Sequence, residues 1–210
     1  MRRWGRLAVL VMAAALAVDW LAFTRVYRPW QLTWGATKEE VSRPMVGEGL
    51  VRDPTFVATR AVTIEATPHE IWPWIVQMGY GRAGFYSWDA LDNDGVPSAE
   101  RIIPEYQDLR AGDLLRMSEG SYAQVAELSV DAHLLLVLDG AGTAWAWELH
   151  PVDARRTRLV TRLQVRPDNL VSRLALETFE IVMTRRCLLG IKRRAESRAA
   201  ALASERRSIR

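Results

Sequence analysis

The sequence predicts an α+β domain in which a curved antiparallel sheet wraps a long C-terminal helix, and three observations carry that reading. Short β-prone runs separated by turn residues follow one another from Asp113 to Arg166. A helical period then continues from Asp168 through Ile191 with Gly190 as its single breaker. An amphipathic helix of that length must bury its apolar stripe, and the concave face of the sheet is the partner at hand.

The N-terminal segment, residues 1–30, opens with Arg2, Arg3 and Arg6 and continues as an apolar run from Leu7 to Phe23 interrupted by Asp19. Its 17 positions lie at the short limit of the ~20 apolar residues a spanning helix needs. The expectation is a single-pass membrane anchor, with Trp20, Tyr27 and Trp30 at headgroup level. A cleaved signal peptide, suggested by the basic start and Ala15-Leu16-Ala17, and a buried or interfacial helix are the alternatives. Arginines flank both ends, so the side of the membrane is undetermined. Residues 31–54 read as a polar connector broken by Pro44, Gly47, Gly49 and Pro54, with a capping box at Thr37 and Glu40 starting one short helical turn.

The domain proper is expected over residues 55–205. Phe56 to Glu65 alternates, with Phe56, Ala58, Arg60, Val62 and Ile64 on one parity, and predicts the first strand. Thr67-Pro68-His69-Glu70 places a cap hydroxyl, a first-position proline and a third-position glutamate before Ile71, Trp74, Ile75 and Met78 at helical spacing. Pro73 falls inside this helix as a potential kink, and Trp72 and Trp74 cannot both face inward, being ~200° apart. A second short helix is predicted from Tyr86 to Leu91, ahead of the turn Asp92-Asn93-Asp94-Gly95. Five strands follow at Asp113–Met117, Tyr122–Leu128, His133–Leu138, Thr143–His150 and Thr157–Arg166, joined by turns such as Glu119-Gly120 and Asp139-Gly140, which makes a meander the economical topology. In the last two strands Trp145, Trp147 and Leu149 share a face, as do Leu159, Thr161, Leu163 and Val165, opposite Arg158 and Arg162. One face is therefore predicted covered and the other wet. The helical stripe runs through Leu170, Leu174, Thr178, Ile181, Val182 and Cys187 to Ile191.

This order resembles the helix-grip fold of the START-like superfamily, most of all its polyketide cyclase/dehydrase-like bacterial branch. The resemblance is carried by Ala66-Thr67-Pro68-His69-Glu70-Ile71-Trp72-Pro73-Trp74-Ile75-Val76-Gln77-Met78-Gly79, Gly84-Phe85-Tyr86-Ser87-Trp88-Asp89 and Leu188-Leu189-Gly190-Ile191-Lys192-Arg193-Arg194-Ala195-Glu196. It covers about Trp34 to Arg198 and implies a cavity whose ligand varies with its side chains.

A net charge of +3 from 28 basic and 25 acidic residues argues against a dedicated nucleic-acid partner, and the basic C-terminal run reads as a solvated helix face, with contact to an anionic membrane as the alternative. Cys187, the only cysteine, is expected to pack within a helix. The glycine-rich stretch from Gly79 to Gly84 follows a helix and lacks a Lys-Ser/Thr ending, so it is read as a turn and not a phosphate loop. The expected cavity lining is Trp74, Met78, Tyr86, Trp88, Trp145, Trp147, Leu159, Leu163, Thr178 and Val182, with core packing the competing role for the paired indoles. His69, His133, His150, Glu148 and Asp89 are the acid–base candidates. His69 and Glu148 are expected to face solvent, and no catalytic residue is assigned. Arg60 and Arg101 would suit a ligand carboxylate. The histidines and cysteine lack ligand spacing, so neither metal nor cofactor is expected. The favoured function is a membrane-tethered binding module for a small hydrophobic molecule, lipid or polyketide-like. A cyclase or dehydratase acting in the same cavity is the alternative, and a protein-interaction or stress-response adaptor the second.

Overall fold

The computed structural model describes residues 12, 14–138, 140, 142–167 and 169–208. Arg2, Arg3, Arg6, the first part of the apolar run, Asp139, Asp168 and Arg210 lie outside them. Residues 14–22 are helical and lead through a π-helical turn, Phe23–Tyr27, into α1 (Arg28–Leu32). Asp19, Arg25 and Arg28 fall within this stretch, and among the described residues no helix is long and apolar enough to cross a membrane. That finding corrects the expected single-pass anchor and removes the support it gave to a membrane partner.

Six strands follow the predicted positions closely: β1 (Phe56–Ile64), β2 (Leu114–Arg116), β3 (Tyr122–Ser129), β4 (His133–Leu138), β5 (Thr143–Pro151) and β6 (Thr157–Val165). They form one antiparallel sheet in the order β1-β6-β5-β4-β3-β2, so β2 to β6 are the expected meander and β1 closes against β6. The register places Trp147 opposite Thr161 and Leu134, and Trp145 opposite Leu163 and Leu136. A shift between Val125 and Glu127 bends β3.

The remaining α-helices are α2 (Lys38–Ser42), α3 (Pro68–Val76), α4 (Asp89–Asp92), α5 (Leu170–Thr178) and α6 (Glu180–Ser208), with a 3-10 turn at Pro104–Tyr106. α2 and α3 start at the predicted capping boxes, the Thr37 N–H donating to Glu40 Oε2 at 2.8 Å and the Thr67 N–H to Glu70 Oε2 at 2.9 Å. α3 continues through Pro73, and both Trp72 and Trp74 are buried. One of the two was expected at the surface or against the sheet, and neither is at the surface, because α3 is covered on more than one side, by α6, by β5 and by the Ile103–Gln107 segment, whose Gln107 amide donates to the Pro73 carbonyl.

The predicted single C-terminal helix is two, divided at Phe179. The stripe that packs into the sheet is Ile181, Thr184, Cys187, Leu188, Ile191 and Ala195, at the three-and-four spacing of one helix face. Leu170, Leu174 and Thr178, expected on the same stripe, are exposed because the break takes α5 off the line of α6, and Val182 is exposed because it lies off the face of α6 that Ile181, Thr184 and Cys187 turn inward. α5 turns Glu177 onto α1, where Arg28 meets it as a double-pronged ion pair with a closest contact of 2.9 Å.

The expectation of a wet outer sheet face is also corrected. Residues 31–51 lie across that face, and Met45, Val51, Ala61, Leu135, Ala144, Ala146 and Val160 form a second core there. Arg162, only 4% exposed, donates to Thr59 Oγ1, the carbonyls of Glu40, Val41 and Arg43, and Glu48 Oε2, all within 3.0 Å. Arg158 grips Glu40 with two hydrogen bonds of 2.8 and 2.7 Å and the Gly35 carbonyl with a third. Burial pushes the Glu40 carboxyl up, but Arg158, the Thr37 N–H and Arg43 together hold it below the usual range. Glu148, expected in solvent, is half-buried on this face, accepting from the Val46 N–H at 2.8 Å and facing His150 Nε2 at 2.9 Å.

Candidate functional site

The space between the sheet and α6 is mostly filled. Trp74, Trp147, Leu159, Leu188 and Ile191 are 2% exposed or less and meet in one cluster with Met78 and Tyr86. Trp145 and Trp147 pack against each other with ring centroids 4.8 Å apart. At the β1 side the concave face carries Arg60, 1% exposed, paired with Glu180 of α6 through Nη1 and Oε1 at 2.6 Å. The carboxylate suited to Arg60 is thus the protein's own, and Arg60 also donates to the Gln31 carbonyl at 2.8 Å. Arg101 is exposed.

Tyr86 is not helical as predicted; it sits at φ +58°, where the chain turns beneath α6, and the short helix begins later, at Asp89. Its hydroxyl donates to the Trp74 carbonyl at 3.0 Å and accepts from Gln77 Nε2 at 2.9 Å, so the phenol is spent inside the protein. Burial pushes its pKa up. Gly190 is the helix glycine that this crossing requires, because a Cβ there would stand 2.4 Å from the Tyr86 carbonyl oxygen.

A pocket of about 180 Å³ opens beside Trp145. Met117 follows β2, Phe85 and Ser87 come from the turn around Tyr86, Asp92 ends α4, and Met183, Thr184 and Cys187 are successive inward positions of α6. The wall is a ring, an indole, two thioethers and a thiol, the composition of an apolar ligand site. Two polar atoms on lining residues have no partner: Asp92 Oδ1 and Trp145 Nε1 are both buried without a hydrogen bond. The Ser87 hydroxyl beside them gives its proton to the Met183 carbonyl at 3.0 Å. Burial, then the negative charge of Asp89, pushes the Asp92 carboxyl up to about 6. The same burial, with Asp92 nearby, pushes the Cys187 thiol up and leaves it a packing group and not a nucleophile.

Of the residues predicted to line a cavity, Trp145 alone reaches the pocket. Trp74, Met78, Tyr86, Trp147 and Leu159 are core, and Leu163 packs with Phe56, Val165 and Leu176 at the sheet's edge. Trp88, Thr178 and Val182 are exposed. His69 is in solvent near Asp131, and His133 and His150 pair with Glu127 and Glu148 away from the pocket. Asp89 accepts from Ser98. Asp92 went unrecognised because in sequence it opens a turn, and nothing in that tetrapeptide marks a carboxyl folded against the mouth of the grip. Among the described residues no group of histidine, cysteine and carboxylate side chains is arranged to hold a metal ion.

No protein-family model matches the chain, and no curated protein matches it. Solved structures that resemble it include a Polyketide_cyc-like protein from Corynebacterium glutamicum, 13% identical, with TM-score 0.38 over 65% of this chain and 89% of that one. A conserved protein of unknown function from Enterococcus faecalis is 12% identical, with TM-score 0.46 over 72% and 89%. The self-sacrificing resistance protein CalC from Micromonospora echinospora is 12% identical, with TM-score 0.43 over 70% and 96%.

Proposed function

We propose that the domain binds a small hydrophobic molecule in the pocket beside Trp145. The observation that carries this reading is an apolar wall of Phe85, Met117, Trp145, Met183 and Cys187 around open space, with the Asp92 carboxyl among the lining side chains. The volume bounds the ligand. Sites for drug-sized molecules measure ~300–1,000 Å³, whereas an apolar cavity of ~150 Å³ takes benzene. At about 180 Å³ the pocket suits a single ring with one polar substituent in place of a lipid or a folded polyketide chain.

Met117 and Met183 line the pocket, and their methyl groups serve as reporters. Titration with phenol, aniline and toluene should shift both methyl NMR signals saturably, phenol and aniline binding more tightly than toluene. If none of the three moves either methyl in the folded protein, the reading is wrong.

The Asp92 carboxyl, which burial pushes up to about 6, lines this pocket and favours a second reading, proton transfer on a bound hydrophobic substrate. Solvent deuterium exchange into cyclohexanone, followed by NMR, would then be accelerated by the wild-type protein and not by Asp92→Asn. Equal exchange with both proteins eliminates it.

A further inference from the structure

A second cavity, of about 380 Å³, lies outside the grip, between the N-terminal helical segment and α6. Tyr27, Trp30 and Trp88 supply three aromatic walls, and the Ile181–Leu189 stretch of α6 supplies an aliphatic floor together with Arg185 and Arg186. Both arginines lie over indole rings. The Arg186 guanidinium lies 3.9 Å over the Trp88 ring with its Nε donating to the Ser87 carbonyl at 2.8 Å, and Arg185 lies 5.1 Å over Trp34. Among the described residues neither arginine has a carboxylate partner, although carboxylates pair with Arg28, Arg60, Arg193 and Arg194 close by.

We infer that this groove is a binding site for a flat aromatic carboxylate, distinct from the pocket beside Trp145. Three rings around one cleft favour a planar body, because stacked and edge-on contacts are made face by face. Two guanidiniums without a carboxylate partner among the described residues give the cleft a positive field that favours an anion, and the planar fork of arginine matches a carboxylate with two parallel hydrogen bonds. The negative π face of the Trp88 indole under Arg186 attracts that guanidinium and holds it at the edge of the cleft. The volume falls within the range of sites for small organic ligands, ~300–1,000 Å³. The assignment does not depend on the function proposed for the inner pocket, since the two cavities share no lining residue.

The test is a titration of the full chain with 1-naphthoate, read by the Val182 and Leu189 methyl signals and by tryptophan fluorescence. The expected result is saturable binding that weakens at least tenfold for 1-naphthalenemethanol, at least tenfold for decanoate, and at least tenfold in the Arg185→Gln/Arg186→Gln double variant with unchanged circular dichroism. Trp88→Ala, which leaves both charges, should also lose affinity. Equal binding of the neutral alcohol would overturn the carboxylate assignment, and equal binding of decanoate the aromatic one. Shifts at the Met117 and Met183 methyls with none at Val182 and Leu189 would move the ligand to the inner pocket and overturn the second site. Association with phosphatidylglycerol vesicles in the absence of any naphthoate binding would overturn it in favour of a lipid surface.

Discussion

Replacing Gly190 by alanine should destabilise the protein, even though alanine is the better helix former by ~1 kcal/mol. A Cβ at this position would lie 2.4 Å from the Tyr86 oxygen and 2.7 Å from the Tyr86 Cβ. Tyr86 has little room to retreat: its backbone is already at φ +58°, its N–H donates to Ser98 Oγ at 3.0 Å, and its hydroxyl is fixed to Trp74 and Gln77. Forced overpacking costs ~1–3 kcal/mol, and each disturbed hydrogen bond of the turn adds ~1 kcal/mol. Set against the gain in propensity, the net loss is about 2 kcal/mol, which for a chain of this size lowers Tm by about 4–8 °C. Urea midpoints and thermal scans of Gly190→Ala should be read beside Gly120→Ala, where nothing lies within 4 Å and the change should stay within ~0.5 kcal/mol. A Gly190→Ala midpoint equal to or above the wild type would refute the claim that the Tyr86 turn is pressed against α6.

Arg162→Met would leave the carbonyls of Glu40, Val41 and Arg43 without their donor in the outer core, so a stability loss of ~3–5 kcal/mol is expected, with earlier proteolytic release of residues 31–51. Unchanged denaturation would mean that the segment is held by its apolar contacts alone. The raised Asp92 carboxyl is favoured in its protonated form by the folded state, so its contribution is fully present below the unfolded value of 3.8 and is lost as pH rises through about 6. Asp92→Asn should abolish that slope and stabilise the protein above pH 6. The shift of about two units sets a ceiling of ~3 kcal/mol, which solvent screening of the half-open carboxyl reduces to ~1 kcal/mol. Parallel stability–pH curves for the two proteins would contradict this.

The elements of the sheet were legible because alternation and turn residues are local signals. Trp145, Trp147 and Leu149 do share the inner face, and both capping boxes start the helices they predict. The outer cover was not legible, since Arg158 and Arg162 on alternate positions look the same whether they meet water or the carbonyls of a segment more than a hundred residues away. The site was half legible. Paired indoles announced an aromatic wall, but which indole lines open space depends on how far α3 and α6 fill the grip. The break at Phe179 lies inside an uninterrupted helical pattern, so helix phase carried Thr178 and Val182 inward on paper. Gly190 stood out as the lone breaker, yet its cause, Tyr86, is about a hundred residues earlier in the chain.

The size of the inner pocket follows from how the concave face is divided. Its centre is occupied by Trp147 and Leu159 against Trp74 and Leu188, all at 2% exposure or less. The end near α1 is closed by an ionic group, Arg60 with Glu180, to which the Thr184 hydroxyl is also tied. Replacing a buried pair by apolar residues is often neutral or better for stability, so its value here is positional. It fixes the first turn of α6, and with it Met183 and Thr184, which are pocket wall. Arg60 is bound in turn to the Gln31 carbonyl, and Gln31 Nε2 to Glu177 Oε2 at 3.1 Å. The polar chain from α1 to the pocket is therefore continuous, and the position of the N-terminal helix bears on the shape of the site through named contacts.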